Sequence, residues 1–106
     1  MELRINGRTC RSVAEVRKVA SVALCNFLES WFDGRDYVTG HTSGSTGKPK
    51  EIHLKKSDMV HSARMTNGFF GLDSRSRFLL CLSPDYIAGK MMIVRAIEAG
   101  AEIVEE

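Results

Sequence analysis

Nine consecutive residues, Thr42, Ser43, Gly44, Ser45, Thr46, Gly47, Lys48, Pro49 and Lys50, cannot be packed into a hydrophobic core. A run of this composition can instead wrap an anion. Glycines let backbone N–H groups approach a ligand closely, and hydroxyls add further donors. Lys48 and Lys50 supply positive charge. The run is not the common nucleotide loop in which four residues separate the first Gly from Gly-Lys-Ser/Thr. Gly44 and Gly47 are only three apart, and Pro49 follows Lys48. A plain surface turn between two strands, with solvated lysines, is the structural alternative.

The remainder reads as one small domain. The chain has 106 residues, 43% of them hydrophobic, enough for a single core. Fifteen basic and 13 acidic residues give a net charge of +2, which does not suggest a nucleic-acid surface. The basic group Lys48, Lys50, Lys55 and Lys56 is the local exception; for Lys55 and Lys56 a solvated strand face and a phosphate contact remain open. Cys10, Cys25 and Cys81 have no paired spacing, which argues for reduced thiols and a cytoplasmic protein. Cys25 and Cys81, in apolar runs, are expected in the core. Neither a signal peptide nor an apolar run of membrane-spanning length is present. His41, His53 and His61 lack metal-ligand spacing, so no metal site is assigned to them.

Periodicity orders the elements as alternating strands and helices, an α/β fold with right-handed crossovers between parallel strands. Asn6-Gly7 between residues 2–5 and 8–11 is a strong hairpin signal. Ser12 with Glu15 forms a capping box that opens a helix. Val16, Ala20, Ala23, Phe27 and Trp31 continue its apolar face, which reads as core packing, and Gly34 closes it. Strands over 37–42 and 51–55 flank the loop. Ser57 is expected to cap a second helix whose face carries Met59, Val60, Ala63, Phe69 and Phe70. Residues 77–82 form an apolar run expected to be a strand buried on both faces. Pro84 begins a turn, 87–99 is helical, Gly100 stops it, and 101–105 is a further strand.

The run from 42 to 50 satisfies every position of the phosphate-loop signature of the adenylate-forming superfamily, Thr/Ser-Ser/Thr-Gly-Ser/Thr-Thr-Gly-x-Pro-Lys, and the chain resembles that superfamily. One departure is Thr39, where the family often has an apolar residue. Leu82, Ser83, Pro84, Asp85, Tyr86, Ile87, Ala88 and Gly89 partly resemble the next family motif, Leu-Pro-x-x-His-x-x-Gly. Tyr86 falls at the family histidine and Ser83 at its proline. A strand-turn-helix junction with no ligand is the alternative for Tyr86. With about forty residues before the loop, the surroundings most resemble the 2-succinylbenzoate–CoA ligases of menaquinone synthesis, over residues 38 to 104.

The resemblance implies an acid–thiol ligase. A carboxylate attacks the α-phosphorus of ATP, pyrophosphate leaves, and coenzyme A takes the acyl group from the adenylate. It implies ATP, Mg²⁺ and coenzyme A as cofactor and co-substrates, and a small carboxylic acid as partner. Thr42, Ser43, Gly44, Ser45, Thr46, Gly47 and Lys50 would contact the nucleotide, and Tyr86 and Gly89 the acid. Lys48, at the free position, is a bystander. No residue here matches the family's catalytic lysine or its acidic magnesium ligand. Residues 1–106 are therefore expected to be a partial domain, inactive alone, that self-associates through its C-terminal strand. A non-enzymatic nucleotide-binding module and a purely structural α/β domain are the rival readings.

Overall fold

The computed structural model describes residues 1–42, 48 and 50–106. Asn6 and Gly7 both take positive φ, 51° and 81°, the backbone of a two-residue turn that matches strand twist. They join β1 (Leu3–Ile5) to β2 (Arg8–Cys10) in an antiparallel hairpin registered Leu3↔Cys10 and Ile5↔Arg8. After it come two helices where the apolar stripe predicts one: α1 (Val13–Val16) and α2 (Val22–Trp31). Ser12 caps the first through a bond accepted from the Glu15 amide (3.2 Å). Ser21 caps the second by accepting from the Leu24 amide (3.2 Å). The break is set from far away, because the Ser21 amide donates to Glu105 Oε1 (2.8 Å) instead of extending the helix. Gly34, with φ 85°, lies in the turn beyond the Phe32 cap.

Next come β3 (Tyr37–Thr42), β4 (Lys50–Lys55) and α3 (Lys56–Phe70). Beyond them lie β5 (Arg77–Leu80), α4 (Ile87–Ala99) and β6 (Glu102–Glu105). The mixed α/β class holds, but the strands divide into two sheets. One has the order β2-β1-β6-β5, with β6 parallel to both β1 and β5; the other is the antiparallel pair β3-β4 alone. Ile5, Ile103 and Phe78 stand in one cross-strand row. They meet Leu24, Leu28, Ile93 and Val94, all fully buried, in one core. Behind the sheet Glu102 is flanked in register by Arg4 and Arg77, and pairs with Arg77 at 3.3 Å.

Several expectations are corrected here. β6 is not an open edge: it is hydrogen-bonded on both sides, by β1 and β5. Self-association through the C-terminal strand therefore loses its physical basis. The edges are β2 and β5. Being an edge, β5 is not buried on both faces: Leu80 is inside while Leu79 is 53% exposed. Cys81, just past it, is exposed, whereas Cys10 and Cys25 are buried. Ser57 does not cap α3. That helix starts two residues earlier, at Lys56 with Lys55 as its N-cap, and the Lys56 amide donates to the Asp36 carbonyl (2.8 Å). Phe69 and Phe70 lie outside the core and pack edge to face on each other, centroids 4.9 Å apart. Asn67 is the residue that turns inward, donating to the Arg95 carbonyl (2.9 Å). Among the described residues no helix is long and apolar enough to cross a membrane.

Candidate functional site

The β3-β4 hairpin is built to hold a loop at its tip. Its rungs run from Tyr37↔Lys55 at the base to Thr42↔Lys50 at the tip, leaving residues 43–49 as the connection. Alternation gives it two faces. Val38 and Gly40 are buried and meet half-buried Ile52 and Leu54 across the strands, while Thr39, His41, Glu51 and His53 are exposed. Gly40 permits the close approach: a Cβ there would lie 3.0 Å from Leu54 Cδ1. On the outer face the rings of Tyr37 and His53 stack at 4.0 Å.

The base is pinned independently. Lys56 Nζ donates to Asp33 Oδ1 (2.9 Å) and lies 5.9 Å from the centre of the Trp31 ring. The Asp33 carboxyl is held below the usual carboxylate range, chiefly by that bond and also by the Arg35 amide. Lys56 therefore anchors the hairpin at the end opposite the loop, which answers the question its sequence left open. At the tip, Lys48 and Lys50 are exposed. Ser43, Gly44, Ser45, Thr46 and Gly47 lie outside the described residues, as does the side chain of Thr42.

The second predicted element, residues 82–89, is a turn leading into α4. Ser83 organises it: its carbonyl accepts from the Tyr86 amide (3.1 Å) and its Oγ from the Asp85 amide (3.1 Å). Tyr86 stands at the N-cap of α4 with its side chain 67% exposed. Gly89 is buried against the turn; a Cβ on it would fall 2.0 Å from the Ser83 carbonyl oxygen. The packing alone accounts for glycine at this position.

Sequence reasoning missed Lys90. It is 7% exposed, and its Nζ donates to the Pro84 carbonyl. Burial lowers its pKa, with Asp85 opposing the shift. The available signal was a lysine in the first turn of a helix otherwise apolar around it, at Ile87, Met91, Met92 and Ile93, where the helix dipole disfavours a cation. Lys90, Asp85 and Pro84 share a cavity of about 130 Å³ with Thr39, Ser30, Ala23 and Phe27. The structure thus brings the hairpin and the 82–89 turn together at Thr39, the position that departs from the family pattern.

A larger cavity of about 230 Å³ lies at the C-terminal ends of β5 and β6, between Leu80, Cys81, Glu105 and Ser21, where open α/β sheets commonly take ligands. Here Glu105 already uses its carboxylate on the Ser21 amide and on Asn6 Nδ2. Among the described residues no group of three His, Cys, Asp or Glu side chains could hold a metal ion.

No protein-family model matches the chain. Among solved structures it is similar to an acyl-CoA synthetase (AMP-forming)/AMP-acid ligase II-like protein from Dyadobacter fermentans. The two are 42% identical with a TM-score of 0.69, over 77% of this chain and 24% of that one. It is also similar to O-succinylbenzoate coenzyme A synthetase from Bacillus subtilis, solved in complex with AMP. That likeness is 26% identical with a TM-score of 0.58, over 64% of this chain and 14% of that one. Among curated proteins, a probable non-canonical nonribosomal peptide synthetase from Salinispora arenicola is 38% identical over 72 residues, 68% of this chain and 1% of that protein. The chain spans about a quarter or less of each of these proteins. Its solved neighbours are AMP-forming ligases of the acyl-CoA synthetase superfamily, and its fold is that of a fragment of an adenylate-forming enzyme domain.

Proposed function

We propose that this chain is part of an ATP-dependent ligase that activates a carboxylic acid as its adenylate and then as a coenzyme A thioester, with 2-succinylbenzoate as the acid. The observation that carries the reading is the complete phosphate-loop signature from 42 to 50 in the sequence; supporting it, Thr42 and Lys50 pair as the last rung of an antiparallel hairpin whose base is fixed by Lys56 and Asp33. In this reading backbone amides of the loop and the hydroxyls of Thr42, Ser43, Ser45 and Thr46 hold the β- and γ-phosphates, and Gly44 and Gly47 let the backbone come close. Lys50 offsets charge on the departing pyrophosphate, since donors fixed where charge develops lower a barrier most. Lys48 is not used.

Tyr86 and Gly89 would border the acid, Tyr86 by its exposed ring and Gly89 by letting the turn close on α4. Mg²⁺ would assist at the phosphates; the described residues offer it no ligand cluster. Supporting the choice of acid is the likeness to the O-succinylbenzoate coenzyme A synthetase of Bacillus subtilis. The catalytic lysine and acidic residue that the family requires would come from sequence other than these 106 residues, so the isolated chain is proposed to form no adenylate.

Acid-dependent exchange of pyrophosphate into ATP, measured on the intact gene product with a panel of acids, tests the reading. Exchange driven by 2-succinylbenzoate is expected. Exchange driven only by fatty or amino acids would reject the substrate, and none with any acid would reject the ligase.

A further inference from the structure

Lys90 is placed where a lysine is costly twice over. Its side chain is almost wholly buried, and a buried ammonium without a counter-charge is strongly disfavoured. It also sits in the first turn of α4, a 13-residue helix, whose N-terminus already carries the positive end of the peptide dipole. That terminus has no side-chain cap to offset it. The bond to the Pro84 carbonyl uses one of three ammonium protons, and Lys90 forms no ion pair within 4.0 Å among the described residues. Asp85 faces it from the turn at longer range.

The same Lys90 lines the cavity of about 130 Å³ that also holds Thr39 and Ser30. Ser30 Oγ already donates to the Phe27 carbonyl (2.7 Å), whereas the Thr39 hydroxyl has no partner among the described residues. The cavity is thus bounded by a buried cation, an unengaged hydroxyl, apolar walls from Ala23 and Phe27, and the exposed Asp85 at its turn side.

We propose that this cavity is a subsite for a small carboxylate, a second acidic group on the acid the enzyme activates, with Lys90 as its counter-charge and Thr39 as a hydrogen-bond donor. A carboxylate there would supply an opposite charge in direct contact, which Asp85 at longer range does not, and use the remaining ammonium protons. Charge-assisted hydrogen bonds are among the strong ones. The subsite gives a reason for a lysine where an apolar residue would pack at less cost. It rests on the ligase reading only in naming the carboxylate as part of a substrate.

The test uses the 106-residue chain without nucleotide, so that it stands or falls apart from turnover. Succinate, acetate and inorganic phosphate are titrated at constant ionic strength while the Nζ resonance of Lys90 and the amides of Asp85 and Gly89 are followed by NMR. Saturable shifts with the two carboxylates are expected, with Kd about 1–10 mM, tighter than for phosphate. Lys90→Met should weaken binding about tenfold, the worth of one charged hydrogen bond; Thr39→Val, which leaves the buried charge in place, should weaken it several-fold. In the intact enzyme, Lys90→Met should raise KM for a dicarboxylic acid by a larger factor than KM for a monocarboxylic one. Absence of saturable shifts at Lys90, a response to phosphate equal to that for carboxylates, or unaltered binding in Thr39→Val would overturn the proposal. Failure of the chain to bind carboxylate leaves the ligase reading standing, and carboxylate binding without any exchange activity does the reverse.

Discussion

Gly89 and the carbonyl of Ser83 meet so closely that a single added carbon would sit 2.0 Å from the oxygen. The obstacle is backbone, which cannot swing aside as a side chain would. Gly89→Ala must therefore shift either α4 or the turn that presents Tyr86. The expected cost is about 1–3 kcal/mol, the range for overpacking a tight site, read as a lower urea midpoint at unchanged slope. Stability equal to the parent's would show that the turn yields freely, and would remove the packing account of this glycine.

Asn6 links three segments by its side chain. Its Nδ2 donates to the Val19 carbonyl (2.8 Å) and to Glu105 Oε1 (3.2 Å), and its Oδ1 accepts from the Glu105 amide (2.8 Å). It does this at a φ of 51°, which asparagine tolerates better than most residues. Asn6→Ala should cost about 2–3 kcal/mol from lost bonds and backbone strain together. Asn6→Gly relieves the strain alone and should recover only part of it. Equal losses in the two variants, measured by equilibrium unfolding, would mean that the strain contributes nothing.

What the sequence made legible was local. The Asn6-Gly7 turn, the strand over Tyr37–Thr42, the helix Ile87–Ala99 and its Gly100 cap (φ 67°) are each written in neighbouring residues. What it hid depends on partners far along the chain. The break at Ser21 needs Glu105, 84 positions away. The exposure of Leu79 follows from β5 being an edge, and the interior place of β6 from its pairing with β1. The loop signature was visible as chemistry, and its hairpin setting as two flanking strands. Lys90 was missed because a lysine in a helix ordinarily reads as surface, although its apolar neighbours Met91, Met92 and Ile93 pointed the other way.

Two sets of buried groups should act oppositely on stability as pH rises. Burial pushes the Cys10 and Cys25 thiols up, with Glu15 adding to the effect at Cys10. Their contribution is complete below the unfolded thiol pKa of about 8.5 and is lost as pH climbs through the higher folded values. Lys90 is shifted down, so between its lowered folded value and the unfolded value of about 10.4 the unfolded chain binds more protons, and stability rises with pH. Removing Lys90 should therefore leave the thiols' effect unopposed. Urea midpoints from pH 7 to 10 should fall more steeply in Lys90→Met than in the parent. Parallel curves would contradict the burial assigned to the ammonium.

If residues 42–50 act on the leaving phosphates of ATP, pyrophosphate exchange in the intact gene product should separate Lys50→Ala from Lys48→Ala. Loss of one fixed charged donor at developing charge costs about 2.7–4 kcal/mol. Lys50→Ala should thus slow exchange about 10²- to 10³-fold while Lys48→Ala stays near the parent. Equal rates in the two variants would contradict the account.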